Sequence, residues 1–256
     1  MACESRFTSA SARQPVKAGS PQHQHGGLVP ALPMAGAMGE QVLTVAGSAQ
    51  IRQRDVLLLH AGDFNQGSSY FTELGGEMEV KLVNALGYDC VALGNHEFDN
   101  GLPDLAGRLA QIKCPAICAN YDFSGTPLDS LVQPCAVFER AGRKIGVVGI
   151  TSNLATMVAS ATSKQLTPID NSDAVNRWAS YLKASEACDI VILLSHAGYE
   201  EDIKLVPTLR SVDYVIGGHS HTFIDEPKVV KDADGKDVPI VTDGCFGIEL
   251  AELTIR

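Results

Sequence analysis

The chain has 256 residues, of which 45% are hydrophobic, so it can bury the core of one large α/β domain or of two small ones. Its formal net charge of −10 argues against sequence-independent binding of nucleic acid, which needs a basic surface. No apolar run approaches the ~18 residues of a membrane span, and residues 1–26 contain no apolar segment typical of a secretory signal. We therefore expect a globular protein with no nucleic-acid or membrane partner, and the sequence assigns no compartment.

The N-terminal part of the chain differs in composition from the rest. Residues 1–36 are rich in Ser, Pro, Gly and His, which predicts an irregular segment. His23 and His25 in this segment could bind a metal, although two histidines in a Gly/Pro-rich stretch are more typical of a loop. The seven cysteines of the chain show neither a metal-thiolate spacing nor a disulfide framework.

After this segment, short apolar runs predict strands, and apolar residues spaced three or four apart predict helices. The predicted helices cover residues 39–54, 75–86, 103–113 and 172–187. The predicted strands cover residues 55–61, 88–93, 115–119, 135–140, 144–150, 189–195, 212–216, 228–231, 238–242 and 249–255. Pro103 suits a first helical turn and Gly87 suits a helix C-cap.

Four of the predicted strands are followed by side chains that can ligate metal ions. These are Asp63, Asn95 with His96, His196, and His219 with His221. Sites in open α/β sheets lie at the carboxyl ends of strands, so the four groups would converge if the strands are neighbours. A set of oxygen and nitrogen donors without sulfur suits Mn²⁺, Zn²⁺ or iron. One histidine after a strand is usually an ordinary core or surface residue, so the argument depends on all four strand ends together.

The segment between Gly94 and Asp99 carries a second possible function. We expect Gly94 to let the backbone bend sharply before Asn95. If a helical turn starts there, His96 and Asp99 share a face, and the carboxylate can orient the imidazole and stabilise its charged form. The alternative is that the segment is only a polar turn that caps a helix.

Four motifs together resemble those of the calcineurin-like metallophosphoesterases, and most of all the bacterial 5′-nucleotidase/UDP-sugar hydrolase branch. They are residues 62–68 (GDFNQGS), residues 94–99 (GNHEFD), the strand-terminal His196, and residues 218–221 (GHSH). The similarity covers about residues 55–256. It implies an α/β fold, a four-layer sandwich with two mixed β-sheets flanked by helices, and it makes residues 37–256 the catalytic domain.

The resemblance also implies a role for each strand-end residue. Asp63 would bridge two divalent cations, Mn²⁺ or Zn²⁺. Asn95, His196 and His219 would complete one metal site, and His221 would belong to the other.

The implied reaction is hydrolysis of a small phosphate ester, such as a nucleotide, by a metal-activated hydroxide that attacks phosphorus. His96, oriented by Asp99, would stabilise the transition state and protonate the leaving oxygen.

The sequence departs from the family in two places. The Asp-x-His motif of the family's first strand is absent, and in the nearest register Ala2 replaces the Asp and Glu4 replaces the His. We therefore expect the first central strand to be missing, and one well-formed metal site beside a weak or empty one, with Glu4 a substitute ligand at most. We also expect this chain to lack the C-terminal nucleotide-specificity domain of the branch, so that a separate domain would act as partner. The alternative is a truncated or weakly active metal-binding module that needs a partner domain for substrate binding.

Overall fold

The computed structural model describes residues 56–247, 250–253 and 255. Some of the sequence predictions lie outside the described residues: the irregular segment 1–36, the helix at 39–54, the missing first strand and Glu4.

The described region contains twelve strands, which form three sheets. The strands are β1 (Leu59–His60), β2 (Cys90–Ala92), β3 (Ala116–Ile117), β4 (Tyr121–Asp122), β5 (Val132–Gln133), β6 (Cys135–Arg140), β7 (Arg143–Thr151), β8 (Thr167–Pro168), β9 (Ile190–His196), β10 (Tyr214–Gly217), β11 (Lys228–Lys231) and β12 (Asp237–Val241). The helices are α1 (Ser69–Leu74), α2 (Glu77–Leu86), α3 (Leu102–Leu109), α4 (Leu154–Met157), α5 (Ser160–Ser163), α6 (Asn171–Ala184) and α7 (Tyr199–Leu205). Two 3₁₀ turns cover His96–Phe98 and Val206–Thr208.

The two main sheets differ in strand direction. The smaller sheet has the order β1-β2-β3-β5, and all its neighbouring strands are parallel. The larger sheet has the order β11-β12-β10-β9-β7-β6 and is mixed, because the β6–β7 and β11–β12 pairs are antiparallel. The expectation of two mixed sheets therefore holds for the larger sheet, whereas the smaller one is parallel throughout the described residues because no hairpin joins its strands.

Successive side chains of the central strands point to opposite faces of their sheets. The apolar side chains form three clusters, which lie between four layers. Odd-numbered β7 residues such as Val147 point between the two sheets, together with Ala92 and Ile192. Even-numbered residues such as Val148 point to the opposite face, where α6 packs through Val175. This order of helix, sheet, sheet and helix confirms the predicted four-layer sandwich.

The fourth layer covers the outer face of the smaller sheet. Helices α2 and α3 contribute Val83 and Leu105 to a cluster with Val91 and Leu93 of the β2 region. Gly87 ends α2 in the left-handed conformation (φ 71°), as predicted for a C-cap. Pro lies in the first turn of α3, as predicted, but the helix ends at Leu109.

Most of the predicted strands are present. Those of the smaller sheet are shorter than predicted, whereas β6 and β11 match their predicted limits and β7 is longer. The first is reduced to β1, and the described residues of the last predicted strand, 250–253 and 255, form only an isolated β-bridge at Leu253. The sequence analysis missed the two-residue strands β4, β5 and β8 and the short helices α1, α4, α5 and α7, which are too short to give a clear period. The six described cysteines are free, and no helix in the described region is long and apolar enough to cross a bilayer.

The two sheets approach each other closely where β7 passes β3. A Cβ added to Gly149 in β7 would lie 2.6 Å from both Cγ1 and the carbonyl oxygen of Ile117 in β3. The spacing between the sheets therefore requires a residue without a side chain at this position.

We expect Gly149→Ala to lower the free energy of unfolding by about 1–3 kcal/mol, because the added methyl group forces the sheets apart. The measurement is equilibrium unfolding in urea. Gly107→Ala is a matched control, since a Cβ at this position of α3 meets no atom within 4 Å and alanine favours a helix by about 1 kcal/mol. An equal change in stability in both variants would contradict the close approach.

Candidate metal centre

Four strand ends meet at one edge of the sandwich, two from each sheet. Asp63 and Asn95 follow β1 and β2 of the smaller sheet, whereas His196 ends β9 and His219 follows β10 of the larger sheet. One ligand atom from each of Asp63, His196 and His219 lies within 4.8 Å of the other two. The convergence predicted from the sequence is therefore present, and the group joins two sheets.

Asp63 presents its two oxygens to different neighbours. Its Oδ1 accepts a hydrogen bond from the backbone N–H of His96 (2.8 Å), and its Oδ2 lies 2.8 Å from Nε2 of His196. Burial raises the pKa of this carboxyl, but the neighbouring His196 and His96 outweigh burial, so the pKa lies below its usual range. The side chain is therefore an anion, with one oxygen held by the backbone of His96 and the other beside His196.

The protonation of His196 is set by a hydrogen bond to the backbone. Its Nδ1 lies 2.6 Å from the carbonyl oxygen of Ala61, so Nδ1 carries a hydrogen and donates it. Its Nε2 is buried and lies 2.8 Å from Oδ2 of Asp63, and it makes no hydrogen bond with any residue that the structure describes. An unpartnered buried nitrogen beside a carboxylate is the arrangement that a divalent cation satisfies, so these residues fit a metal.

The pKa values of the two histidines are shifted in opposite directions. Burial lowers the pKa of His196, but the Asp63 carboxylate outweighs it and raises the pKa above its usual value. A proton and a metal therefore compete for the same nitrogen. Burial and the charge of His196 lower the pKa of His219, which favours the neutral form that ligates metals.

The remaining predicted ligands lie near this group. Asn95 is buried and its Oδ1 accepts a hydrogen bond from Ser152 Oγ at 3.4 Å. Its side chain makes no capping hydrogen bond with the 3₁₀ turn that follows, which disfavours the interpretation as a polar cap. His221 is outside the three-residue group, and its ring lies edge-on to Phe246 with the centroids 5.5 Å apart.

His96 and Asp99 form the predicted pair. The 3₁₀ turn at His96–Phe98 places residues three apart on one side, and Nδ1 of His96 lies 2.8 Å from Oδ2 of Asp99. Gln66, which the sequence analysis did not single out, donates from Nε2 to the same oxygen at 2.9 Å. The His96 side chain is 41% exposed, so a substrate can reach its free Nε2.

Comparison with known proteins identifies the family. The sequence profile of the family described as calcineurin-like phosphoesterase matches residues 39–223. The chain belongs to the calcineurin-like phosphoesterases.

Relatives of this phosphoesterase are 5′-nucleotidases. The chain is 38% identical over 193 residues to the 5′-nucleotidase of Diplobatis ommata, which covers 74% of this chain and 32% of the relative. It is 35% identical over 226 residues to the 5′-nucleotidase of Rattus norvegicus, which covers 81% and 39% of the two chains. The chain thus spans about a third of the length of these relatives.

Solved structures confirm the predicted fold. A 5′-nucleotidase precursor from Thermus thermophilus superposes with a TM-score of 0.73 and 27% identity, over 88% of this chain and 50% of that chain. The NAD nucleotidase of Haemophilus influenzae gives a TM-score of 0.72 and 25% identity, over 86% and 48% of the two chains.

Glu97 is a central residue of this phosphoesterase that the sequence analysis treated only as part of a motif. It is fully buried, and its carboxylate accepts hydrogen bonds from the backbone N–H groups of Gly94 (2.6 Å), Asp63 (2.8 Å) and Asn65 (3.2 Å). Burial and the charge of Asp63 raise its pKa to about 7. The role of Glu97 had one signal in the sequence: its carboxylate lies inside a turn, where the N–H groups of a neighbouring loop could donate to it.

Gly94 is required for a reason other than the predicted one. Its φ is not positive, and the left-handed residues at this contact are Gly62, with φ 96°, and Asp63, with φ 56°. A Cβ on Gly94 would lie 2.6 Å from the backbone nitrogen of Asp63, so the requirement is close approach of the two loops.

We expect Glu97→Gln to lower the free energy of unfolding by about 2 kcal/mol, because the new NH₂ group would face backbone donors. Urea unfolding measures this loss. Glu79→Gln is the matched control, because buried Glu79 accepts only from Ser68 Oγ and its Oε2 has no partner that an amide would repel. Equal losses in the two variants would mean that the three N–H donors do not select a carboxylate.

Proposed function

We propose that this chain is a metal-dependent phosphoesterase that hydrolyses phosphate esters of nucleotides. The observation that supports it most is the buried, unpartnered Nε2 of His196 beside the Asp63 carboxylate, at a point reached by strand ends from both sheets. The family membership supports the reaction class. The relatives named 5′-nucleotidases support a nucleotide substrate, although the chain spans only about a third of their length.

In this proposal Asp63, His196, His219 and Asn95 would hold one divalent cation, Mn²⁺ or Zn²⁺. Asp63 and His221 would hold a second cation. Bound cations of this kind supply positive charge to phosphate oxygens and lower the pKa of water. The chain needs such charge near a phosphate, because its own net charge is −10.

The proposed role of His96 is that of general acid. Asp99 engages Nδ1 at 2.8 Å, which leaves Nε2 to donate a proton to the leaving oxygen. The Gln66 hydrogen bond holds the Asp99 carboxylate in place in turn. The pair lies next to the metal group, since the backbone N–H of His96 binds Asp63.

His96→Ala should lower kcat for 4-nitrophenyl phosphate and for a nucleoside 5′-monophosphate by about 10²–10⁴-fold, because the leaving oxygen then departs without a proton donor. The assay uses protein stripped of metal and then loaded with Mn²⁺ or Zn²⁺. Metal affinity should stay at the wild-type value.

His196→Ala is the complementary variant and should lose metal affinity and activity together. Wild-type activity no higher than that of His96→Ala, with metal still bound, would reject the catalytic proposal. It would leave a metal-binding module that needs a partner domain.

A further inference from the structure

The first turn of α7 contacts the chain on both sides of His196. Asp202, the fourth residue of this helix, is fully buried, and its Oδ1 accepts a hydrogen bond from Ser195 Oγ at 2.6 Å. Ser195 Oγ accepts in turn from the backbone N–H of Ala197 at 3.1 Å. One hydroxyl group therefore links Asp202 to the residues that precede and follow His196.

The same turn also contacts the end of β10. A Cβ added to Gly217 would lie 2.8 Å from Oδ2 of Asp202, so the carboxylate packs directly against the backbone two residues before His219. At the start of the helix, the backbone N–H of Tyr199 donates to Ser220 Oγ at 3.0 Å. The turn thus holds the β10 segment on both sides of His219.

The segment that follows β10 needs such support. His219 and His221 both have left-handed backbones, with φ of 72° and 52°. This conformation costs on the order of 1 kcal/mol per residue outside glycine, and it persists only where surrounding contacts determine it. The Gly218 N–H bonds to the carbonyl of Ser195 at 2.9 Å, which ties this segment to β9 as well.

The burial of the Asp202 carboxylate also costs more free energy than a purely structural position would require. Its Oδ2 has no hydrogen-bond partner among the described residues, although the side chain is fully buried. A buried carboxylate with a single donor is less favourable than an apolar side chain of the same size. A requirement for fixed geometry nearby accounts for its presence.

We propose that Asp202 is a positioning residue for the metal centre, which fixes His196 and His219 relative to each other by tying the ends of β9 and β10 to α7. This inference rests on the proposed function, because it assigns the two histidines to one cation. Asp202 itself touches neither substrate nor metal.

The test measures the affinity of the metal-free protein for Mn²⁺ and Zn²⁺ by competition with a chromophoric chelator. Asp202→Ala and Ser195→Ala should each weaken binding by about tenfold or more, as is usual when a residue that orients a ligand is removed. The double variant should lose little more than either single one, because both remove the same link. Asp202→Asn retains the oxygen that accepts from Ser195 and should recover most of the affinity.

Asp213→Asn is the matched control, since Asp213 ties the opposite end of the same two strands. Its Oδ2 accepts from the backbone N–H of Val191 at 2.7 Å, and it directly precedes β10. This variant loses the ion pairs of Asp213 with Lys183 and Lys236, so it should lower the unfolding temperature and leave metal affinity unchanged. The Co²⁺-loaded protein gives a second readout, because the visible spectrum of Asp202→Ala should shift and that of Asp213→Asn should not.

Wild-type metal affinity in both Asp202→Ala and Ser195→Ala would overturn the proposal. So would equal weakening in Asp213→Asn, which would indicate a general loss of stability. If Asp202→Ala does not fold, Ser195→Ala decides the question, since it removes only one hydroxyl group. A wild-type protein that binds neither metal would overturn the proposed function first, and this inference with it.

Discussion

The carboxylate of Glu97 fixes the loops that carry Asp63 and Asn95 to each other. Both loops leave the smaller sheet, so their first N–H groups have no strand to pair with and need another acceptor. Three of these groups, on Gly94, Asp63 and Asn65, find it in one buried side chain. The smaller sheet therefore presents its ligands as one rigid unit.

Much of the framework could be predicted because its signals are local. Apolar runs set the central strands, and the residues that follow them, such as Asp63 and His196, are at the strand ends as expected. The His96–Asp99 pair was predictable from a spacing of three. The role of Glu97 and the reason for Gly94 were not, because each depends on a second loop that is distant in sequence.

Prediction from the sequence was limited in the same way for the metal-ligand residues of the larger sheet. His196 and His219 were predicted at strand ends, but the sequence could not indicate that Asp202 of a short helix bonds Ser195 and packs against Gly217, close to both histidines. Nor could it show that Asp63 and His196 come from different sheets. The distance between them depends on how closely the layers pack, and one such close approach lies at Gly149, where β7 passes β3.

Asp63 follows a strand of the smaller sheet, whereas His196 and His219 belong to strand ends of the larger sheet. A metal ion bound by all three would therefore cross-link the two sheets. Unfolding would then have to release it, and each tenfold excess of free ion over its dissociation constant would add about 1.4 kcal/mol of stability. The unfolding temperature of such a protein would therefore rise with the concentration of free metal ion in its surroundings.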